Sequence, residues 1–161
     1  MNHSQDRIDF ESYVARNIAP HIVDSPGIPV LLLTCMDYRY PHLIINTMDT
    51  SGLRGKYDQL ILAGAGLGVV HKQEWQTTFF DQLRFAMEHH HVTQLIILEH
   101  RDCGAYREFL GITPDDPARE RQAHIEQSSK AIKITLAAFP ELEKVGCLLL
   151  PIETIEELPV E

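Results

Sequence analysis

The apolar run Ile28 to Thr34 gives way to Cys35-Met36-Asp37-Tyr38-Arg39, and a second run, Val92 to Leu98, is closely followed by His100-Arg101-Asp102-Cys103. Thiolate sulfur and imidazole nitrogen are donors that zinc prefers. Two cysteines with one histidine match the ligand types and count of a catalytic zinc site that keeps its fourth position open. Asp37 and Arg39 stand at i and i+2 of an extended segment, so they project to the same side and can join through charge-assisted, bidentate hydrogen bonds. Water on zinc loses its proton at about pH 7 in favourable sites, and a carboxylate oriented by an arginine can accept a hydrogen bond from the resulting hydroxide. Two roles stand open for Asp37: that acceptor, or a ligand of the metal itself.

For these side chains to meet, the ends of the two apolar runs must lie side by side. Short unbroken runs suit strands covered on both faces of a parallel sheet. They predict strands at Ile28–Thr34, Val92–Leu98 and Val145–Leu150, with a less apolar one at Gln59–Ala63. Between them, Trp75, Phe79, Leu83 and Met87 predict a helix from Gln73 to His90, and a second long helix is predicted from Pro117 to Ala138, stopped before Pro140. Residues 41 to 49 start with Pro41 at a favoured first helical position. Ile8, Tyr13, Val14 and Ile18 predict an amphipathic helix over residues 6 to 18, ahead of Pro20. This alternation predicts an α/β domain with a mainly parallel, four-stranded sheet flanked by helices and joined by right-handed crossovers. In a doubly wound sheet that begins in the middle, the first and third strands are neighbours. Their carboxyl ends then flank the switch point where ligand crevices form. The tail IETIEELPVE reads as either an edge strand or irregular chain.

The two motifs resemble those of the β-class carbonic anhydrases, whose signatures are C-x-D-x-R after the first strand and H-x-x-C-G after the third. Both stand here, as Cys35 to Arg39 and His100 to Gly104, and the resemblance covers residues 28 to 110 in motif order and element spacing. It implies one zinc per chain held by Cys35, His100 and Cys103, with Asp37 and Arg39 as the catalytic dyad. The implied activity is a lyase's, the reversible hydration of CO₂ to bicarbonate and a proton by attack of zinc-bound hydroxide. It also implies a single domain over residues 1–161 whose helical arm, residues 1–24, embraces a partner in a homodimer or higher homo-oligomer. In some members the aspartate becomes a fourth ligand when its arginine contact breaks. The same family supports hydrolysis of COS or CS₂, a close alternative. One departure stands out: where the family has an R-N-A-G-like stretch, this chain has Ala63 and Gly64 in the arginine and asparagine positions, and only the closing Ala65-Gly66 survives. Changes in the groups supporting a metal site cost about ten- to a hundredfold in affinity or activity. That motivates a further alternative, a non-catalytic zinc-binding relative acting as a binding or assembly module, against which the intact Asp37–Arg39 pair argues.

The rest of the chain narrows the choice. A net charge of −9, from 23 acidic against 14 basic residues with no Lys/Arg cluster, excludes a nucleic-acid partner and favours a small substrate. With 161 residues and 44% hydrophobic content, one continuous core is expected. The start, MNHSQDRIDFESYVARNI, lacks the apolar core of a signal peptide, and apolar runs elsewhere are far shorter than a bilayer span, so a cytoplasmic location without a membrane partner is expected. Three cysteines cannot all pair within one chain; Cys147, inside GCLLL, reads as core. Gly64-Ala65-Gly66-Leu67-Gly68 lacks the dinucleotide spacing and follows the second strand, so it reads as a tight turn with close backbone approach rather than a nucleotide site. His100-Arg101-Asp102 matches a kinase tripeptide without its downstream asparagine, and a phosphatase cradle after Cys35 would need an arginine where Pro41 stands. His89, His90 and His91 read as solvated, His71 as a surface residue or proton relay, and Tyr38 as lining the pocket or packing.

Overall fold

The computed structural model describes residues 10–21, 26–150 and 156–159. Its centre is a sheet in the order β2-β1-β3-β4-β5, built from β1 (Val30–Thr34), β2 (Tyr57–Ile61), β3 (Gln94–His100), β4 (Lys144–Leu150) and β5 (Glu156–Glu157). The first four pair in parallel, as the apolar runs predict. β1 and β3 are buried at every position, and β2 is the partly exposed edge. The acidic tail supplies the antiparallel fifth strand, Glu157 pairing with Leu148 and Glu156 with Leu149.

Strand boundaries shift from expectation for identifiable reasons. Pro29 has no N–H for a ladder; its carbonyl accepts from Thr93 N and Gln94 N at 2.9 Å each, and β1 starts at Val30. β3 runs two residues beyond its apolar run because Glu99 and His100 pair with Leu149 and Leu150 of β4, past the end of β1. His100 is therefore the last strand residue instead of a loop residue.

Period-two alternation sorts the core onto two faces. Val30, Leu32, Ile96, Leu98, Leu148 and Leu150 meet α2 (Pro41–Thr50) through Ile44 and Met48. Leu31, Leu33, Leu95, Ile97, Cys147 and Leu149 meet α3 (Gly66–His71), α4 (Gln73–His90) and α6 (Pro117–Ala138), where Val69, Phe79, Leu83 and Ala131 are buried. α4 and α6 have the predicted bounds: α4 ends in a left-handed His91, φ 63°, and α6 opens with Pro117 after Asp116, whose carboxylate accepts from Arg119 N at 3.0 Å.

The N-terminal stretch starts as α1 (Phe10–Tyr13), widens to a π turn at Val14–Ile18 and tightens to a 3-10 turn at Ala19–His21. Tyr13, Val14 and Ile18 are buried in the same cluster as Ile44 and Met48, so this part of the arm packs on its own sheet. Residues 6 to 9 of the expected helix, and the rest of the arm over 1–24, lie outside the described residues. No helix among the described residues is long and apolar enough to cross a membrane.

Two short helices have no apolar period of their own: α3 and α5 (Gly104–Leu110). The glycines of α3 answer close approaches. A Cβ on Gly66 would stand 2.8 Å from Glu99 Oε1, and one on Gly68 would stand 2.6 Å from the Ala63 carbonyl oxygen. The glycine cluster is thus both the close-approach turn expected and the start of a helix.

Candidate metal centre

β1 and β3 are neighbours in register, Thr34 opposite Leu98, so the residues just beyond them converge. Cys35 follows β1, His100 ends β3, and Cys103 precedes the first turn of α5. One donor atom from each of these three residues lies within 4.8 Å of the others, and the two sulfurs are 3.9 Å apart. The three residues singled out from spacing are the group among the described residues that could hold a metal ion.

The donor chemistry fits a thiolate-preferring cation such as zinc. His100 Nδ1 lies 2.8 Å from the Arg101 carbonyl oxygen, which can only accept, so the ring proton sits there and Nε2 presents a lone pair. Nε2 is buried and makes no hydrogen bond among the described residues, an orphaned polar atom facing the two sulfurs. The Cys35 thiol is pulled down to about 4, above all by the hydrogen bond from Cys103; burial opposes this, and His100 and the Gly64 N–H add to it. The Cys103 thiol is pushed up by the same contact with Cys35 and by burial. Burial also works against charge on His100, but the adjacent Cys35, the Arg101 carbonyl and Asp37 together outweigh it and raise its pKa. The site is tuned for cationic charge at its centre, the condition a bound metal meets.

Asp37 and Arg39 form the bidentate pair foreseen from their spacing. Asp37 Oδ1 accepts from Arg39 N and Nε at 2.9 Å each, and Oδ2 accepts from Nη2 at 2.7 Å. These bonds hold the Asp37 carboxyl below the usual carboxylate range and raise the Arg39 pKa. Oδ2 is also 3.7 Å from His100 Nε2. The arginine contact is intact.

Other supports carry no sequence signal. Arg39 also donates through Nη2 to the Asp102 carbonyl at 2.9 Å and through Nη1 to Asp102 Oδ2 at 3.4 Å. Asp102 sits in the left-handed region, φ 53°, where its N–H reaches Glu120 Oε1; the other Glu120 oxygen accepts from Arg101 Nη1 at 3.3 Å. Glu120 is buried in the first turn of α6, distant in sequence from both motifs. Gly64 N donates to Cys35 Sγ at 3.3 Å. A small, partly open recess of about 10 Å³, roughly one water's worth, abuts Cys35 and His100 and is lined also by Thr34, Tyr40, Ile44, Leu98 and Leu150.

The other histidines and the cysteine singled out from the sequence stand apart from this group. His71 is stacked on Phe109, ring centroids 4.3 Å apart, and His90 Nδ1 meets Asp58 Oδ2 at 2.7 Å. His89 and His91 are exposed, Cys147 is core, and Tyr38 is 90% exposed at the rim of the dyad.

Known proteins are similar to this chain in sequence and in fold. A protein-family model described as "Putative carbonic anhydrase" matches residues 27–149. An uncharacterized protein of Rickettsia bellii is 32% identical over 130 residues, 79% of each chain, and one of Rickettsia conorii is 31% identical over 130 residues, 79% of this chain and 69% of that one. Among solved structures, a tetrameric β-carbonic anhydrase of Sordaria macrospora superposes with a TM-score of 0.55 at 18% identity, covering 91% of this chain and 89% of its own. The β-carbonic anhydrase CafA of Aspergillus fumigatus gives 0.53 at 17% identity, covering 88% and 80%, and a carbonic anhydrase from Glaciozyma antarctica gives 0.53 at 16%, covering 98% and 99%. At these identities the structures speak to the fold, and the family model speaks to descent; taken together, the chain belongs to this carbonic anhydrase family and has the β-class fold.

Proposed function

We propose that this chain is a zinc-dependent lyase that interconverts CO₂ and bicarbonate, with one zinc per chain held by Cys35, His100 and Cys103. The observation that carries this reading is the Asp37–Arg39 pair beside the donor cluster, Oδ2 standing 3.7 Å from His100 Nε2. A metal kept only for stability requires no ionised, arginine-clamped acid at its side. Zinc in this place supplies a Lewis acid that lowers the pKa of water from near 15.7 to about 7.

The protein's own groups do the rest. Asp37, kept ionised by Arg39, offers oxygens that only accept, so a water beside it must point a hydrogen at it and turn a lone pair elsewhere. Arg39 is fixed in turn by Asp102, which keeps the acceptor in one orientation. The recess beside Cys35 and His100 has room for about one water next to the donor cluster. Hydration consumes one water and returns bicarbonate and a proton, which buffer or a histidine carries off. The three cysteines are free, as suits a reducing, cytoplasmic compartment. Homodimeric or higher assembly belongs to this reading; the Sordaria macrospora enzymes, of like fold, are tetrameric.

The Ala63–Gly64 departure favours a second reading, a zinc-bearing binding or assembly module without turnover. Stopped-flow CO₂ hydration on protein of measured zinc content, from about pH 7 to about pH 9, separates the two. Turnover that falls in Asp37→Ala supports the lyase. Full zinc occupancy with hydration no faster than buffer overturns it, and COS and CS₂ assayed in parallel distinguish a related hydrolase from the module.

A further inference from the structure

Glu99 precedes His100 in β3, and strand neighbours face opposite sides, so its carboxylate enters the sheet face covered by α3 and α6. It is 1% exposed there, in line with Leu95 and Ile97. A buried carboxylate is tolerated only when donors surround it. Here Oε1 accepts from Gly66 N at 2.9 Å and from Ser128 Oγ at 3.3 Å, and Oε2 meets Nδ1 of the fully buried His124 at 3.1 Å. An apolar residue would fill this position without that cost, so the acid demands an explanation.

The explanation lies in what Glu99 grips. Gly66 N is the first amide of α3, and the turn that feeds it is strained: Gly64 has φ 76° and Ala65 φ 45°, a region that a residue with a Cβ seldom adopts. One end of that turn is tied to Glu99. The other end donates Gly64 N–H to Cys35 Sγ at 3.3 Å. A carboxylate facing away from the metal site is thus joined, through two backbone amides two residues apart, to one of its sulfurs.

We infer that Glu99 is a positioning residue for the metal centre, holding the Gly64–Gly66 turn so that the Gly64 N–H is aimed at the Cys35 sulfur. The inference rests on the metal-site reading above. An amide directed at a ligating thiolate draws electron density from it and fixes its rotamer. Loss of such support lowers metal affinity by about ten- to a hundredfold.

Cobalt(II) is the probe, because its absorption bands report on thiolate ligation independently of turnover. Wild type should show a thiolate-to-cobalt band. Glu99→Gln, whose amide oxygen can still accept from Gly66 N, should keep the band and the affinity. Glu99→Met, of similar length without an acceptor, should shift the band and weaken cobalt binding by about tenfold or more. A folded Glu99→Met with the wild-type band and affinity overturns the inference. Should that variant not fold, Ser128→Ala removes one donor from Glu99 inside a helix and should shift the band the same way by less; an unmoved band there also overturns it. Absence of a thiolate band in wild type would instead overturn the metal reading itself, which separates the two failures.

Discussion

Asp37 Oδ2 lies 3.7 Å from His100 Nε2 while Arg39 bonds both carboxylate oxygens, so the acid is held beside the donor cluster. Proximity to the centre and commitment to arginine are satisfied together. In the reading proposed above, an acid so held orients the reacting water.

The first expectation concerns that pair. Asp37→Ala should keep its zinc and lose CO₂ hydration by about a hundredfold, the lower range for a positioned proton acceptor. Arg39→Lys should also lose activity, because an ammonium cannot reproduce the fork that grips both oxygens. Metal analysis beside stopped-flow rates checks both; undiminished turnover in Asp37→Ala would remove the dyad from the mechanism.

A second expectation concerns pH. Arg39's hydrogen bonds depress the Asp37 pKa in the folded chain. The unfolded chain then binds the proton more readily, so stability from this group is complete above its unfolded pKa of about 4 and drains away as pH falls through the lower folded value. The Tm difference between wild type and Asp37→Asn, both with metal chelated, should stay level from about pH 8 to about pH 5 and shrink below about pH 4. A gap that widens on acidification contradicts the sign.

Removing a ligand should cost both metal and fold. Cys103→Ser replaces a soft thiolate by a hydroxyl and should lose zinc on dialysis, with a lower Tm, because binding energy in such sites is also folding energy. Retention of one zinc per chain would take Cys103 out of the ligand set.

Glu120 offers a test of the loop between His100 and Cys103. Its carboxylate receives the Asp102 N–H and Arg101 Nη1 from a buried position. Glu120→Ala leaves that amide unpaired and should destabilise the fold by about 1–3 kcal/mol, with weaker zinc retention, read by thermal melting and competition with a chelator. Unchanged metal retention at lower Tm would confine Glu120 to a structural role.

The central strands, both long helices and the donor trio were legible because each rests on a local signal. β1, β3 and β4 are apolar runs, α4 and α6 carry helical period or proline punctuation, and Cys35, Asp37, Arg39, His100 and Cys103 are chemically distinctive residues at short spacing. What escaped depends on tertiary partners. α3 and α5 are too short for a periodic face, and Gly66 is required by a carboxylate from another element. The two polar residues that lengthen β3 are strand because β4 continues beside them. Glu120 and Glu99 reach the loops around the centre from positions whose sequence neighbours reveal nothing of the distance they span.

The left-handed Gly64 also constrains how this chain can diverge. The position that the resemblance matches to an asparagine has φ 76°, and a Cβ there would meet that of Ala105 at 3.0 Å. A side chain at 64 therefore crowds Ala105 and Leu67, the latter at 3.3 Å, on top of the strain of a left-handed backbone, and trimming residue 105 relieves only the first of these. Gly64→Asn should melt below wild type, and adding Ala105→Gly should recover part of the loss. A side chain at position 64 thus costs this chain stability, and part of that cost is set by the first turn of α5.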